Sequence, residues 1–202
     1  MQRTRVVVMA KAPVAGRVKT RLIPVLGAEG AAGLARRLLD ATLAQARAAG
    51  LGEIELCCAP DTTHAAFVAQ RERGSVVLRA QGEGDLGARM HHAFLRGLAQ
   101  APQVIVIGTD VPALDAAYLQ AADEALSGCD GVLGPAADGG YALIGLRRPA
   151  PRLFEQMPWS TGQVLAITRE RIAECGLRHA ELATLFDIDE PADLAHLPAG
   201  WL

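Results

Sequence analysis

Val104-Ile105-Val106-Ile107-Gly108-Thr109-Asp110-Val111-Pro112 opens on four β-branched residues with no polar alternation. A strand reads this way when both of its faces are buried, as in the middle of a parallel sheet. The run stops at Gly108, and Pro112 has no N–H to give to a ladder, so a central strand does not continue through it. Asp110 is therefore expected just past the carboxyl end of a central strand. Open α/β sheets bind their ligands at that end.

Working outward, further strands are expected at 5–10, 53–59, 75–79, 131–134 and 141–146. Between these runs lie segments with helical spacing. The longest, 28–49, carries Leu34, Leu38, Leu39 and Leu43 as its apolar stripe and ends at Gly50 and Gly52. Further helices are expected over 62–71, from the Asp85 region to about 100, from Asp115 to about 126, and over 162–175. A short strand is expected at 185–189, followed by a small helix that begins near Pro191. The alternation predicts a single α/β domain spanning 1–202, with a mostly parallel central sheet layered between helices. No repeat, linker or low-complexity segment interrupts it.

Composition bounds the function. The 202 residues are half hydrophobic with a net charge of −2, which suits a globular core and gives no bias towards nucleic acid or an anionic membrane. No apolar run is long enough for membrane insertion. The opening Met-Gln-Arg-Thr-Arg passes straight into Val6-Val7-Val8, without the apolar stretch of an export signal, so a cytoplasmic location is the default expectation. The four cysteines form no Cys-x-x-Cys pair and no zinc spacing; adjacent Cys57 and Cys58 should face opposite sides of a strand as small buried hydrophobes.

The first strand runs into Lys11-Ala12-Pro13-Val14-Ala15-Gly16-Arg17-Val18-Lys19-Thr20-Arg21-Leu22, which holds four basic residues and no amphipathic period. Such a loop suits a polyphosphate: Gly16 allows close backbone approach, while Lys11, Lys19 and Arg21 neutralise oxygens. It is neither a Walker A loop nor a dinucleotide fingerprint. A second glycine-rich loop, Gln81-Gly82-Glu83-Gly84-Asp85-Leu86-Gly87, leads into a helix. Asp85 is a natural N-cap there, and the loop also suits closure over a nucleobase or ribose.

Asp138-Gly139-Gly140 between two apolar runs reads as a hairpin turn, whose bare backbone would also let a substrate lie against it. Trp159-Ser160-Thr161 precedes a helix; Ser160 or Thr161 serves as its N-cap, and the helix N-terminus also suits a phosphate or an acceptor. Asp187 and Asp189, two apart in the last short strand, should point to one side. With Asp110 they offer the hard oxygen ligands that Mg2+ or Mn2+ takes alongside substrate phosphates. Cations on one side of a phosphate and a metal on the other is the arrangement expected for transfer at a phosphate or sugar-phosphate bond.

These motifs resemble the GT-A-like nucleotide-diphospho-sugar transferase superfamily and, within it, the bacterial DUF2064 family, whose members are often labelled glycosyltransferases. The resemblance is carried by Ala10-Lys11-Ala12-Pro13 with Gly16 and Lys19-Thr20-Arg21-Leu22, Asp85-Leu86-Gly87 with Arg89-Met90, and Gly108-Thr109-Asp110-Val111-Pro112. Gly134-Pro135 with Asp138-Gly139-Gly140-Tyr141, Trp159-Ser160-Thr161 and Asp187-Ile188-Asp189 complete it, in order over nearly the whole chain. A looser similarity, in the first loop, Asp110 and the last acidic pair, reaches the nucleotidyltransferases of molybdenum-cofactor and deazaflavin synthesis. Two departures stand out: the first loop lacks a Gly-x-Gly opening, and Thr109-Asp110 replaces the Asp-x-Asp of glycosyltransferases.

The resemblance implies a three-layer α/β/α sandwich of GT-A-like type. It implies nucleotide contacts from Ala10, Lys11, Pro13, Gly16, Lys19, Arg21, Gln81, Gly82, Asp85, Gly87 and Thr109. Lys19, Arg21 and Asp110 are the expected catalytic set, and Asp110, Asp187 and Asp189 the expected ligands of Mg2+ or Mn2+. Asp138, Gly139, Gly140, Tyr141, Trp159, Ser160 and Thr161 are expected to face a small-molecule acceptor. The family label favours glycosyl transfer from a nucleotide sugar. Lys19 and Arg21 suit nucleotidyl transfer from a nucleoside triphosphate, with release of pyrophosphate, equally well. A nucleotide-binding accessory protein without turnover is the third expectation.

Overall fold

The β-branched runs form the strands they predict, and those strands share one sheet. The computed structural model describes residues 4–201; residues 1–3, the start of the N-terminus read above as leaderless, and Leu202 lie outside the described residues. The strands are β1 (Arg5–Lys11), β2 (Ile54–Ala59), β3 (Val76–Ala80), β4 (Val104–Ile107), β5 (Gly131–Pro135), β6 (Tyr141–Leu146) and β7 (His179–Glu181). Their order in the sheet is β3-β2-β1-β4-β6-β5-β7. Only β6 runs against its neighbours, pairing antiparallel with both β4 and β5. The other pairings are parallel.

Unbroken apolar runs arise because both faces of this sheet are covered. Val6, Val8, Ile105 and Ile107 pack on one face under α1 (Ile23–Ala49), α2 (Ala65–Glu72) and α4 (Ala116–Gly128). Val7, Val104 and Val106 pack on the other under α3 (Leu86–Leu98) and α5 (Val164–Glu174). The result is the expected three-layer sandwich. Cys58 joins the first core and Cys57 the second, and all four cysteines are free.

Most element bounds shift by a few residues from expectation. Helical bonding in α1 begins at Ile23, but Gly27 breaks its geometry at φ 71°, ψ 166°, so the regular stretch starts at Ala28, as expected. Two expectations are corrected. The segment 185–189 is extended but not a strand: only Leu185 bridges the sheet, through Ala136. Conversely β7, a three-residue His-Ala-Glu edge, carries no apolar signal and was not anticipated. Among the described residues, no helix is long and apolar enough to cross a membrane.

Candidate active site

The chain winds β1, β2 and β3 to one side, then crosses back through α3 to place β4 on the other side of β1. The carboxyl ends of β1 and β4 therefore flank the topological switch point, where α/β sheets open a crevice. The basic loop leaves β1 there, and Gly108-Thr109-Asp110 leaves β4 there. A third segment arrives from the far end of the chain. Ile188 is fully buried against Leu22, Leu34 and Leu38 of α1 and its approach. Its backbone N–H donates to the Asp110 carbonyl at 2.8 Å, and its own carbonyl accepts from Lys19 Nζ at 2.5 Å. One buried isoleucine thus fixes Asp187 and Asp189 beside the other two segments.

The charges of the three segments interlock. Lys19 has left-handed backbone angles (φ 47°, ψ 41°), and its side chain is only 6% exposed. Its ammonium pairs with Asp110 Oδ1 at 2.5 Å and lies 3.9 Å from Asp189 Oδ1. Arg21, largely exposed, pairs with Asp189 Oδ2 at 2.6 Å and lies 3.7 Å from Glu190 Oε1. Water screens that outer pair, so it is easily exchanged for another anion. Lys19 and Arg21 are thus paired with carboxylates of the same site.

Beside this knot lies a cavity of about 370 Å³, lined by Arg21, Asp138, Asp187, Asp189, Glu190 and Asp193, with the stacked rings of Phe186 and His196 at its wall. Burial raises the Asp187 carboxyl above its usual range, and the carboxylates of Asp138, Asp193 and Asp110 push the same way. A larger cavity, about 540 Å³, sits at the opposite end of the strands around Arg5, Glu53 and Val77. It is far from the switch point and holds none of the expected residues.

The donor set suits a hard divalent cation, because Asp110, Asp187 and Asp189 offer the carboxylate oxygens that such an ion takes. The three are not gathered into a cage: among the described residues, no group of three acidic, histidine or cysteine side chains is placed to hold a metal ion. Lys19 is paired with one of the two Asp110 oxygens.

The glycine-rich loops frame the crevice. Gln81 is buried, and its amide donates to the carbonyls of Ala10 (3.1 Å) and Cys57 (3.0 Å). It ties the loop to β1 and β2, leaving the exposed Gly82 as the accessible part. Asp85 caps α3 by accepting from the Ala88 N–H at 2.8 Å. Lys11 and Gly16 are exposed, Ala10 is buried, and Pro13 and Thr109 are half-buried along the same rim.

The residues expected to face an acceptor do come together. A Cβ on Gly139 would stand 2.3 Å from the Gly162 carbonyl oxygen, and the Gly139 carbonyl accepts from the Leu165 N–H at 2.8 Å. The turn is thus docked on the start of α5. Asp138 Oδ1 accepts from the Gly140 N–H at 2.8 Å. Tyr141 and Trp159 meet edge to face, 6.5 Å between centroids, and Trp159 lies over Gly87, where a Cβ would meet the indole at 2.9 Å. The Tyr141 hydroxyl and Trp159 Nε1 are buried without hydrogen-bond partners, and burial pushes the Tyr141 phenol pKa up. The N-cap expectation is corrected: Gln163 precedes α5 without a side-chain cap bond. Ser160 is left-handed at φ 63°, and Thr161 Oγ1 turns back to the Pro158 carbonyl at 2.8 Å.

Three contributors escaped the sequence reading. Ile188 had no role of its own in the Asp187-Ile188-Asp189 motif, and only its contacts with α1 show it to be the anchor. Phe186, half exposed, lines the cavity. Asp193 accepts from the Asp189 and Glu190 N–H groups at 3.0 and 2.6 Å. Its position three residues after Glu190 is a capping-box spacing that could have flagged it.

Comparison with known proteins follows the same lines. Over 189 residues the chain is 33% identical to a phosphoenolpyruvate guanylyltransferase of Rubrobacter xylanophilus, covering 90% of this chain and 87% of the relative. A crystal structure from Desulfovibrio desulfuricans G20, assigned to the nucleotide-diphospho-sugar transferases, superposes with a TM-score of 0.87 at 31% identity, covering 96% of this chain and 85% of that one. A nucleotidyl transferase from Methanothermobacter shares the fold at a TM-score of 0.64 and 18% identity, over 98% of this chain and 97% of its own. Residues 42–161 match the family described as an uncharacterized protein conserved in bacteria, DUF2064. With that match over more than half its length, on a GT-A-like sheet, the chain belongs to the DUF2064 family.

Proposed function

We propose that this protein is a nucleotidyltransferase that joins a nucleoside triphosphate to a phosphorylated small molecule and releases pyrophosphate. The observation that carries the reading is the pairing of Lys19 and Arg21 with Asp110 and Asp189 at the β1/β4 switch point. A triphosphate needs dense cationic cover, and the loop leaving β1 provides it next to carboxylates suited to a divalent ion. The guanylyltransferase relative supports the same class. In this reaction an oxygen of the acceptor phosphate attacks the α-phosphorus, and the bond to the β-phosphate bridging oxygen breaks.

Lys19 and Arg21 would hold phosphate oxygens in line, and the loop at Gly82 would lie along the nucleoside. The turn at Asp138–Tyr141, with Trp159, would position the acceptor and exclude water from it. Asp110, with Asp187 and Asp189, would hold Mg2+ or Mn2+, which when bound neutralises charge developing on the phosphates. Glycosyl transfer is the second reading, favoured by the Desulfovibrio relative.

The test is a thermal-shift screen of the purified chain against nucleoside triphosphates and nucleotide sugars, with and without Mg2+, followed by product analysis with phosphorylated acceptors. Pyrophosphate release supports the proposal. A nucleoside diphosphate released from a nucleotide sugar replaces it with glycosyl transfer, and tight binding without product indicates an accessory protein. Asp110→Asn is expected to lower turnover by roughly 10²–10³-fold, the scale of losing one preorganised electrostatic group, while the protein still folds.

A further inference from the structure

Lys19 is out of character for a phosphate-binding lysine at rest. Such side chains are long, hydrated and mobile, yet this one is 6% exposed. Its ammonium has three oxygens around it: Asp110 Oδ1 and the Ile188 carbonyl at 2.5 Å each, and Asp189 Oδ1 at 3.9 Å. It thereby bridges the β1 loop, the end of β4 and the C-terminal segment. Its left-handed backbone, unusual for a side chain with a Cβ, aims it inward. The backbone is fixed on its C-terminal side, where the Leu22 N–H donates to the Lys19 carbonyl at 2.9 Å. Arg21, by contrast, is 59% exposed and already at the solvent edge.

Resting on the proposed nucleotide site, we propose that Lys19 is a phosphate-operated latch, a positioning residue that makes divalent-ion binding conditional on nucleotide. At rest its ammonium takes the Asp110 oxygen and, with Arg21 on Asp189, neutralises the pair. A divalent cation at that oxygen would sit in contact with the ammonium, and like charges at contact repel. The phosphates of an incoming nucleotide outbid one carboxylate and draw the ammonium outward. Asp110 and Asp189 are then left as a net negative pair beside Asp187, and the ion enters with the nucleotide. Nucleotide and metal therefore bind with positive coupling, and Lys19 carries that coupling.

The test is Mn2+ binding to the full chain, read by the loss of the free-ion electron paramagnetic resonance signal, with and without GTP. Wild type is expected to bind Mn2+ weakly alone and more tightly with GTP. Lys19→Met is expected to bind Mn2+ alone roughly tenfold more tightly, within the usual range of site-to-site coupling, and to lose most of the gain from GTP. Lys19→Asn guards against misfolding, because asparagine tolerates left-handed angles, and should behave as Lys19→Met does. Lys19→Arg, which keeps the charge, should retain the weak binding of wild type. Unchanged Mn2+ affinity in folded Lys19→Met and Lys19→Asn overturns the latch while leaving the proposed reaction standing if GTP still binds. Tighter Mn2+ in both variants, with no effect of GTP on wild type, overturns the phosphate trigger and the nucleotide reading with it.

Discussion

At the scale of single residues, the site is a balance of charges in which each carboxylate is answered differently. Asp110 and Asp189 have cationic partners, and Asp187 has only other carboxylates and partial burial. An acid whose pKa is raised in the native state destabilises that state when ionised. The penalty is absent below the unfolded-state value of about 3.9, grows as pH rises through the native value, and is complete at neutral pH. Asp187→Asn is therefore expected to stabilise the metal-free protein at pH 7, by no more than the ~1 kcal/mol that solvent-screened charges usually reach. The gain should vanish at low pH. Urea unfolding in EDTA from pH 3.5 to 7.5 checks it, and a loss of stability at pH 7 would refute the electrostatic account. With Mn2+ added, the ordering should reverse if Asp187 is a ligand.

At the scale of elements, the proposed acceptor side depends on two loops that lie flat against helix starts. Gly139 has φ +86°, and a Cβ there would collide with the backbone of Gly162, which has no flexible end to move aside. Gly139→Ala combines a disfavoured backbone region with overpacking, so a destabilisation of about 2–4 kcal/mol is expected. Under the proposed function, the acceptor KM should also rise well above any change in nucleotide KM. Equal changes in both would mean that the turn supports the fold alone. Trp159 is held over Gly87 by the same economy of space. Its buried Nε1 and the Tyr141 hydroxyl have no partners, an arrangement that costs free energy. Tyr141→Phe should therefore be neutral or stabilising in the free protein, as a thermal melt would show.

At the scale of the whole molecule, two cores on either side of one sheet hold the crevice open at the switch point. Phe94 of α3 is fully buried in the second core and stacks on Phe154 at 5.6 Å, tying α3 to the segment that leads to Trp159. Phe94→Ala should cost about 3–5 kcal/mol in urea unfolding. A loss under 1 kcal/mol would mean that this core collapses around the gap. The β-branched strands, the Leu stripe of α1, the caps at Asp85 and Asp115 and the Asp-Gly-Gly turn were all legible from sequence, because periodicity, capping and turn chemistry are local properties. Local rules failed at 185–189, where alternation suggested a strand but no ladder accepts one, and at β7, which is an edge with nothing apolar to mark it. Sequence alone determined the layered α/β class and the candidate set of Lys19, Arg21, Asp110, Asp187 and Asp189. Only the tertiary structure decided that Ile188, 78 residues from Asp110 and 169 from Lys19, would bolt these segments together. It also decided that Lys19 would rest on a carboxylate. Which charges meet depends on crossovers and burial that bring distant segments into contact, and no local pattern records that.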